Sequence, residues 1–289
     1  MQGRNFRVKS LESEIIKWYK SGHTCKGTAK KINCCVQTIC RVLKRNNINQ
    51  RIDKFVSNKK YLLNEKVFDK ISNQEIAYLL GFIYADGNIC KNNLSISLVR
   101  GDKKILEKFN TLFETNKPLI PIPAKGKDKP QFKLLLSNKY MAEKLKSLGV
   151  IERKSLVVTF PLYLKPKLYQ HFIRGYFDGD GSIGIKKNLK DYRLSFCGTS
   201  EFLYGIQKIL NMNLGVHFRK LYRKKSLEVN SYSLDYNGRI QVEIIMDWLY
   251  KKATIFLIRK KEKYDQAKTV VNKNVIKKHH RTTLLKNGN

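Results

Sequence analysis

Residues 79–89 read LLGFIYADGNI, an apolar run that ends abruptly at Asp86-Gly87. The run predicts a helix, although Gly81 lies in its middle and an interior glycine costs about 1 kcal/mol relative to alanine. Residues 173–183 read IRGYFDGDGSI and repeat the internal glycine, the last aspartate and glycine, and the final isoleucine at the same offsets. The sequence therefore predicts two copies of one helix, each with an acid at its tip, Asp86 in the first and Asp180 in the second.

Small residues form a stripe along each predicted helix. Ala77, Gly81 and Ala85 recur at every fourth position in the first helix, and Gly175 and Gly179 do so in the second. Residues four apart share a helix face, so these stripes let two helices pack with their backbones in contact. We expect Gly81, Ala85, Gly175 and Gly179 to form the interface between the two helices.

The two acids meet at one end of the helix pair if the helices run in the same direction. Carboxylates at helix C-termini oppose the helix dipole, so a cation beside them would stabilise the arrangement. Proteins hold Mg2+ with one or two carboxylates together with phosphate and water. A single Asp-Gly pair is equally typical of a turn, but its duplication favours binding of a divalent metal by Asp86 and Asp180.

The segments that follow each predicted helix are also repeated. Strand-like and helical runs alternate in the same order, as in NNLSISLVR, DKKILEKFNTLF, FKLLLSN and KYMAEKLKSLGV of the first copy. A capping box of Ser72 and Glu75 marks the start of the first copy, and Pro166 marks that of the second. We predict α+β repeats at residues 73–165 and 166–275. A polar linker is expected at 51–72 and a disordered basic tail at 276–289.

Residues 1–50 predict a separate all-α domain of three short helices, and the segment TAKKINCCVQTICRVLKRNNI resembles the helix-turn-helix of resolvase-like DNA-binding domains. Residues 1–60 contain 15 Lys or Arg and 3 acidic residues, which favours DNA binding over a helical core that binds nothing. The positions expected to build the core are Leu11, Ile15, Ile16, Tyr19, Ala29, Ile32, Val36, Ile39, Cys40 and Leu43. The residues expected to reach base edges and phosphates are Gln37, Thr38, Arg41, Lys44 and Arg45.

The charge of the whole chain indicates its class of partner. Its 289 residues include 58 Lys or Arg and 23 Asp or Glu, a formal net charge of +35, and such an excess favours binding to a polyanion. No apolar run approaches the ~20 residues needed to span a bilayer, and the N-terminus lacks the apolar core of a signal peptide. We expect a nucleic-acid partner and no membrane association. We expect the protein in the cytoplasm, at the nucleoid, or in an organelle matrix, and not secreted.

The motifs LLGFIYADG and IRGYFDGDG resemble the two signature motifs of single-chain LAGLIDADG homing endonucleases, and the resemblance covers roughly residues 55–270. It implies a pseudo-twofold duplicated αββαββα fold whose motif helices form the interface between the halves. It also implies curved antiparallel sheets that grip the major groove of DNA. The implied enzyme is a monomer that uses Mg2+, or Mn2+ in its place, to hydrolyse phosphodiesters in both strands of a double-stranded target.

The resemblance assigns roles to individual positions. The implied metal ligands are the carboxylates of Asp86 and Asp180 and the backbone carbonyl groups of Ala85 and Gly179. The implied catalytic lysines of the basic pocket are Lys154 and Lys260, although the adjacent Arg259 and Lys261 leave the second assignment open.

The first motif departs from the second at one position, where Tyr84 stands in place of Asp178. A residue two positions before the last acid does not share its helix face. We therefore expect Tyr84 to be compatible with activity and Asp178→Asn to keep substantial activity.

Two other functions remain open at this stage. An RNA maturase would use intron RNA as its partner, and a DNA-binding regulator would keep the fold without the chemistry. The acids in both motifs argue against a pure maturase and against a regulator, because neither function requires the pair, but a protein that combines endonuclease and maturase functions stays open. An intein is disfavoured, because the chain has no Cys or Ser at its start and ends in KNGN rather than His-Asn.

Overall fold

The computed structural model describes residues 11–48, 61–151, 157–186, 191–223 and 230–286, with side chains as far as residue 273. The chain divides into two compact units, Met1–Lys60 and Tyr61–Asn289. No helix in these described ranges is long and apolar enough to cross a lipid bilayer.

The N-terminal unit contains three helices in its described part, α1 (Glu12–Lys20), α2 (Cys25–Ile32) and α3 (Val36–Arg45). The Thr24 side chain caps α2 by accepting a hydrogen bond from the Gly27 amide. Asn33 ends α2 in the left-handed conformation, with φ of 54°, which asparagine tolerates better than most residues. A tight turn from Asn33 to Cys35 therefore joins α2 to α3, as in a helix-turn-helix.

The core of this small unit follows the predicted helical spacing, except at Val36 and Val42. Its buried apolar residues are Ile15, Tyr19, Ala29, Ile39, Val42 and Leu43. Val36, which we expected in the core, is the first residue of α3 and is 41% exposed. Val42, which was not expected in the core, is buried because it lies one turn after Ile39 on the inner face of α3.

The first repeat runs in the order αββαββα. Its helices are α4 (Gln74–Asp86), α5 (Lys103–Leu112) and α6 (Lys139–Ser147), and its strands are β1 (Gly87–Cys90), β2 (Asn93–Val99), β3 (Ile120–Ile122) and β4 (Gln131–Ser137). The strands form one antiparallel sheet in the order β1-β2-β4-β3. Alternate residues of β2 are buried, so one face of the sheet covers the core and the other is open.

The second repeat has the same order of elements and the same sheet topology, followed by one further helix. Its helices are α7 (Tyr169–Asp180), α8 (Ser200–Leu214), α9 (Arg239–Tyr250) and α10 (Ile258–Lys286), and its strands are β5 (Ser182–Ile185), β6 (Tyr192–Gly198), β7 (Leu221–Arg223) and β8 (Tyr232–Asn237). The antiparallel sheet order is β5-β6-β8-β7. The predicted α+β class and the duplicated αββαββα order are confirmed.

The ends of the repeats differ from expectation in three ways. The α4 N-cap is Asn73, whose side chain accepts from the Ile76 amide, rather than Ser72. Asparagine is an equally good cap, and it lies one residue closer to the apolar run. Part of the predicted linker belongs to the larger unit, because Val67 and Phe68 are buried in its core. Residues 276–286 are helical rather than disordered, since α10 continues to Lys286.

Candidate active site

Helices α4 and α7 cross at two glycines. A Cβ atom on Gly81 would overlap the Phe172 carbonyl group, and one on Gly175 would overlap the Tyr78 carbonyl oxygen and lie 2.9 Å from the Phe82 amide nitrogen. Each helix backbone therefore touches the other, and no side chain fits between them. The glycines lie where the predicted stripe requires them.

The acids at the helix ends lie on the same side of this crossing. Asp86 is the last residue of α4 and Asp180 the last of α7. Near the tip, a Cβ on Gly179 would overlap the Ala85 methyl group and lie 3.3 Å from the Asp86 Oδ2 atom. Asp86 is half-buried and Asp180 is exposed. The Asp86 carboxylate therefore lies against the last turn of the helix that ends in Asp180.

The two acids also act on the same neighbouring groups. Burial raises the pKa of the Tyr176 hydroxyl well above its ordinary value, and the charges of Asp180 and Asp86 raise it further. Both charges also favour the protonated form of Lys260. Asp86 and Asp180 therefore contribute to one local field, as expected for a shared anionic site.

Lys260 is buried beside this site, with 6% of its surface exposed. Its ammonium group donates to the carbonyl oxygen of Phe177 at 3.2 Å and to that of Gly181, at the C-terminal end of α7. Burial lowers the pKa of Lys260 to about 8, although Asp178, Asp86 and Asp180 act in the opposite direction. The positive charge of the ammonium group thus interacts favourably with the negative end of the α7 dipole.

The two residues adjacent to Lys260 in the sequence form ion pairs with other acids. Arg259 forms an ion pair with Asp102 at 2.7 Å, and Lys261 forms one with Asp265 at 2.5 Å. Lys260 is the one of the three that contacts the acid-tipped end of α7. The other proposed lysine, Lys154, lies outside the described residues.

Asp178 lies on a different face of α7 from Asp180, as predicted, but its environment could not be predicted from the sequence. It is fully buried and accepts hydrogen bonds from the hydroxyls of Tyr78 and Tyr250, at 2.8 and 2.6 Å, and from the Leu257 amide at 2.7 Å. Burial raises its pKa, and these three hydrogen bonds counteract part of the rise. Asp178 therefore joins both motif helices to the segment that leads into Lys260.

Arg174 is a second buried group that we did not anticipate. Its guanidinium donates to the carbonyl oxygens of Ile255 and Leu249, at 3.1 and 3.0 Å, and lies 5.4 Å from the centre of the Tyr78 ring. The sequence feature that could have indicated these contacts is the arginine itself, because a charged residue inside an apolar motif needs hydrogen-bond partners when it is buried. Arg174 and Asp178 together hold residues 249–257 against α7.

At the position equivalent to Asp178, Tyr84 makes a related contact in the first repeat. It is buried, and its hydroxyl donates to the Leu148 carbonyl oxygen. Its ring packs edge-on against Phe172, with the two centroids 5.0 Å apart. Tyr84 and Asp178 therefore both support the helix pair, and neither faces the acid tips.

The donor set at the tips fits a hard divalent cation that keeps several outside ligands. It offers two carboxylates at the negative ends of two helices. Within the described ranges, no group of three or more His, Cys, Asp or Glu side chains is positioned to enclose a metal. A site with few protein ligands suits Mg2+, which retains water and phosphate oxygens, better than a closed zinc site with four protein ligands.

The open face of the second sheet forms a polar groove, lined in part by Lys186, Arg193, Tyr222, Arg223 and Lys263. Its basic lining suits a nucleic-acid backbone and base edges.

In the N-terminal unit, Gln37, Arg41, Lys44 and Arg45 are exposed on α3, while Thr38 is half-buried and lies 3.1 Å from the Cys35 sulfur. All five predicted contact residues thus belong to one helix, four of them fully accessible.

Residues 167–247 match the family model of the LAGLIDADG-like domain. The second repeat is therefore similar to a LAGLIDADG-like domain over these residues. The first repeat has the same element and sheet order, so the larger unit is a duplicated αββαββα fold.

The ribonucleoside-diphosphate reductase NrdEB subunit alpha of Bacillus subtilis is 25% identical over 169 residues, which are 53% of this chain and 15% of that protein. This chain thus matches only a small part of that relative. The I-LtrWI LAGLIDADG homing endonuclease bound to target DNA is 12% identical, with 75% of this chain and 93% of that chain covered and a TM-score of 0.48. The N-terminal LAGLIDADG domain of DUF199/WhiA is 17% identical, with 70% and 92% covered and a TM-score of 0.44. At these identities no residue role transfers.

Proposed function

We propose that the protein is a site-specific, metal-dependent homing endonuclease that cuts both strands of DNA. The observation that carries this proposal is the glycine crossing of α4 and α7, which brings Asp86 and Asp180 to one end of the helix pair. Two equivalent acids related by a pseudo-twofold axis match the two antiparallel strands of a duplex, with one acid for each strand.

The residues at the tip have distinct roles in this proposal. Asp86 and Asp180 would hold Mg2+, or Mn2+ in its place, together with the backbone carbonyl groups of Ala85 and Gly179. A divalent cation bound there would supply Lewis-acid chemistry for in-line attack of water on the phosphodiester. Because the acids end rigid helices, their carboxylates are positioned before DNA binds, which reduces the reorganisation needed for reaction.

Lys260 supplies positive charge at the same end of α7. It is protonated over most of its population at pH 7, since its pKa is about 8. We infer that it offsets negative charge that develops on the phosphate during cleavage. Lys154 would serve the same purpose at the first repeat.

Double-stranded DNA is the partner that the charge favours. The chain carries +35, and the second sheet presents an open polar groove with four basic residues. The two repeats of one chain would supply both halves of the DNA-binding surface, so a monomer suffices. The N-terminal helices would add contacts through Gln37, Thr38, Arg41, Lys44 and Arg45.

Cleavage of the DNA that flanks the gene for this protein, joined with the insertion removed, tests the proposal. The chain is expected to cut this duplex at one position in Mg2+, to bind it uncut in Ca2+, and to leave a scrambled duplex of equal composition intact. Failure to cut, or equal cutting in the presence of a chelator, would contradict the proposal. Selective binding of the intron RNA without any DNA cleavage would favour the maturase alternative instead.

A further inference from the structure

The groove on the second sheet has a floor of small residues around one long side chain. The small residues that line it are Ser182, Gly184, Ser195, Cys197 and Ser233. Arg193 rises from β6, an inner strand of the four, and 60% of its side chain is exposed. In the strand register Arg193 lies opposite Gly184, and no atom lies within 4 Å of where a Cβ on Gly184 would stand. The guanidinium group therefore has open space beside it.

Asp235 fixes the orientation of this guanidinium. Its Oδ2 atom accepts from Nη2 of Arg193 at 2.9 Å, and only 7% of the Asp235 side chain is exposed. Burial opposes ionisation of the carboxyl, but interactions with Ser195, Arg193 and Ser233 outweigh it and lower the Asp235 pKa. The carboxylate is thus ionised and too deep to touch a DNA base itself. One edge of the guanidinium is held and the other faces the groove.

The fold does not require this ion pair. In the first sheet Ser95 pairs with Leu135 and Asn93 pairs with Ser137, in the same register as Ser195 with Asp235 and Arg193 with Asn237 in the second. The positions of Arg193 and Asp235 are thus occupied by Asn93 and Leu135. The first repeat builds the same sheet with a neutral pair, and burying a carboxylate carries a desolvation cost. A function other than folding is the simplest reason for the charged pair.

We propose that Arg193 reads a guanine in the major groove of the target and that Asp235 is its positioning residue. An oriented guanidinium can donate two parallel hydrogen bonds to the O6 and N7 atoms of guanine, an arrangement that other bases do not offer. The rim residues Arg223 and Lys263 suit phosphates instead, since Arg223 is on the edge strand β7 and Lys263 is on α10. This inference rests on the proposed function, because it requires a specific DNA target.

Binding in Ca2+ to a set of duplexes that carry every single-base change across the target tests the assignment. The wild-type protein should prefer guanine at one position in the half contacted by the second sheet, by about 5- to 150-fold, the range typical of one bidentate contact. Arg193→Gln should move that preference from guanine to adenine, since glutamine pairs with the N6 and N7 atoms of adenine. Asp235→Leu, which installs the first-sheet residue, should reduce the guanine preference while Arg193 remains.

Arg223→Gln is the matched control from the same groove. It should weaken binding to all duplexes about equally and make the salt dependence shallower by about one unit, as expected for a lost phosphate contact. A melting curve for each variant checks that it is folded. Unchanged preference at every position in Arg193→Gln would overturn this inference and leave the endonuclease proposal intact. A wild-type protein with no preference among the duplexes would overturn both.

Discussion

Gly175→Ala perturbs the contact on which the helix pair depends. The added methyl group would overlap the Tyr78 carbonyl oxygen and lie 2.9 Å from the Phe82 amide nitrogen. These are backbone atoms of α4, so they cannot rotate away as a flexible side chain would. The two helices must move apart by more than about 1 Å to restore an ordinary contact of at least 3.4 Å with the carbonyl oxygen.

The expected loss of stability combines two opposing effects. Overpacking in a close-packed interior costs about 1–3 kcal/mol, and contact with rigid backbone favours the upper end of this range. Replacing glycine by alanine inside a helix returns about 1 kcal/mol of helix propensity. The free energy of unfolding should therefore fall by about 2 kcal/mol.

Cleavage should fall by more than the loss of stability explains. Separation of α4 and α7 also moves Asp86 relative to Asp180, and misplacement of catalytic groups by about 1 Å can cost about 100-fold in rate. We expect a rate about 10- to 100-fold lower than that of the wild type at a temperature where both proteins are folded. Urea unfolding and single-turnover cleavage measure the two effects separately.

Gly101→Ala is the matched control, because no atom lies within 4 Å of the added methyl group. Its stability should stay within about 1 kcal/mol of the wild type, and its cleavage rate should be unchanged. Gly81→Ala should behave like Gly175→Ala, since it meets the Phe172 carbonyl group from the other side. A fully stable and fully active Gly175→Ala protein would refute the close helix contact.

Three further predictions concern other parts of the chain. Asp178→Asn should lower the free energy of unfolding by about 2–3 kcal/mol, because one of its three donors would then face an amide nitrogen; an unchanged urea midpoint would contradict the buried network. Lys260→Met should abolish cleavage yet raise stability at pH 7, because the pKa of Lys260 is about 8 when folded and about 10.4 when unfolded. Below pH 8 the buried ammonium charge destabilises the folded wild type to its full extent. This destabilisation disappears progressively as the pH rises toward 10. The stability gap between the two proteins, about 3 kcal/mol from this shift, should accordingly close over that range, and a gap that stayed constant would count against the assigned pKa. Removal of residues 1–52 should weaken DNA binding and make its salt dependence shallower while cleavage at high protein concentration persists; unchanged affinity and salt slope would rule out DNA contacts by the N-terminal helices.

The duplicated fold could be predicted from the sequence because its signals are local and occur twice. The glycine and acid offsets of residues 79–89 recur in 173–183, and strand alternation follows each copy. The position of Gly81 opposite the other helix also follows from helical spacing alone. These features depend on residues close together in the chain, where periodicity is informative.

The sequence could not predict the contacts between distant segments. Asp178 bonds to Tyr78, Tyr250 and Leu257, each more than 70 positions away. Nothing near Asp178 in the chain distinguishes this buried acid from the acid at the helix tip. The choice of Lys260 over Arg259 and Lys261 likewise required the orientation of each side chain at the start of α10. The residues that support the site were therefore missed, while the placement of Asp86 and Asp180 at one end of the helix pair could be predicted.

The most direct test of the acid pair is the double substitution Asp86→Asn and Asp180→Asn. Asparagine keeps the size of each side chain and removes the charge that holds a divalent cation. Both positions lie at helix ends, one half-buried and one exposed, so the protein should remain folded. Each single variant should lose double-strand cleavage, with residual nicking of one strand if the two acids act independently.

Plasmid cleavage in Mg2+, run beside a binding assay in Ca2+, is the measurement that decides the matter. The double variant should bind the target at least as tightly as the wild type, because two negative charges facing the DNA backbone are removed. It should cut neither strand. Binding without cleavage is the result that this account predicts, and double-strand cutting by the Asp86→Asn/Asp180→Asn protein would contradict it.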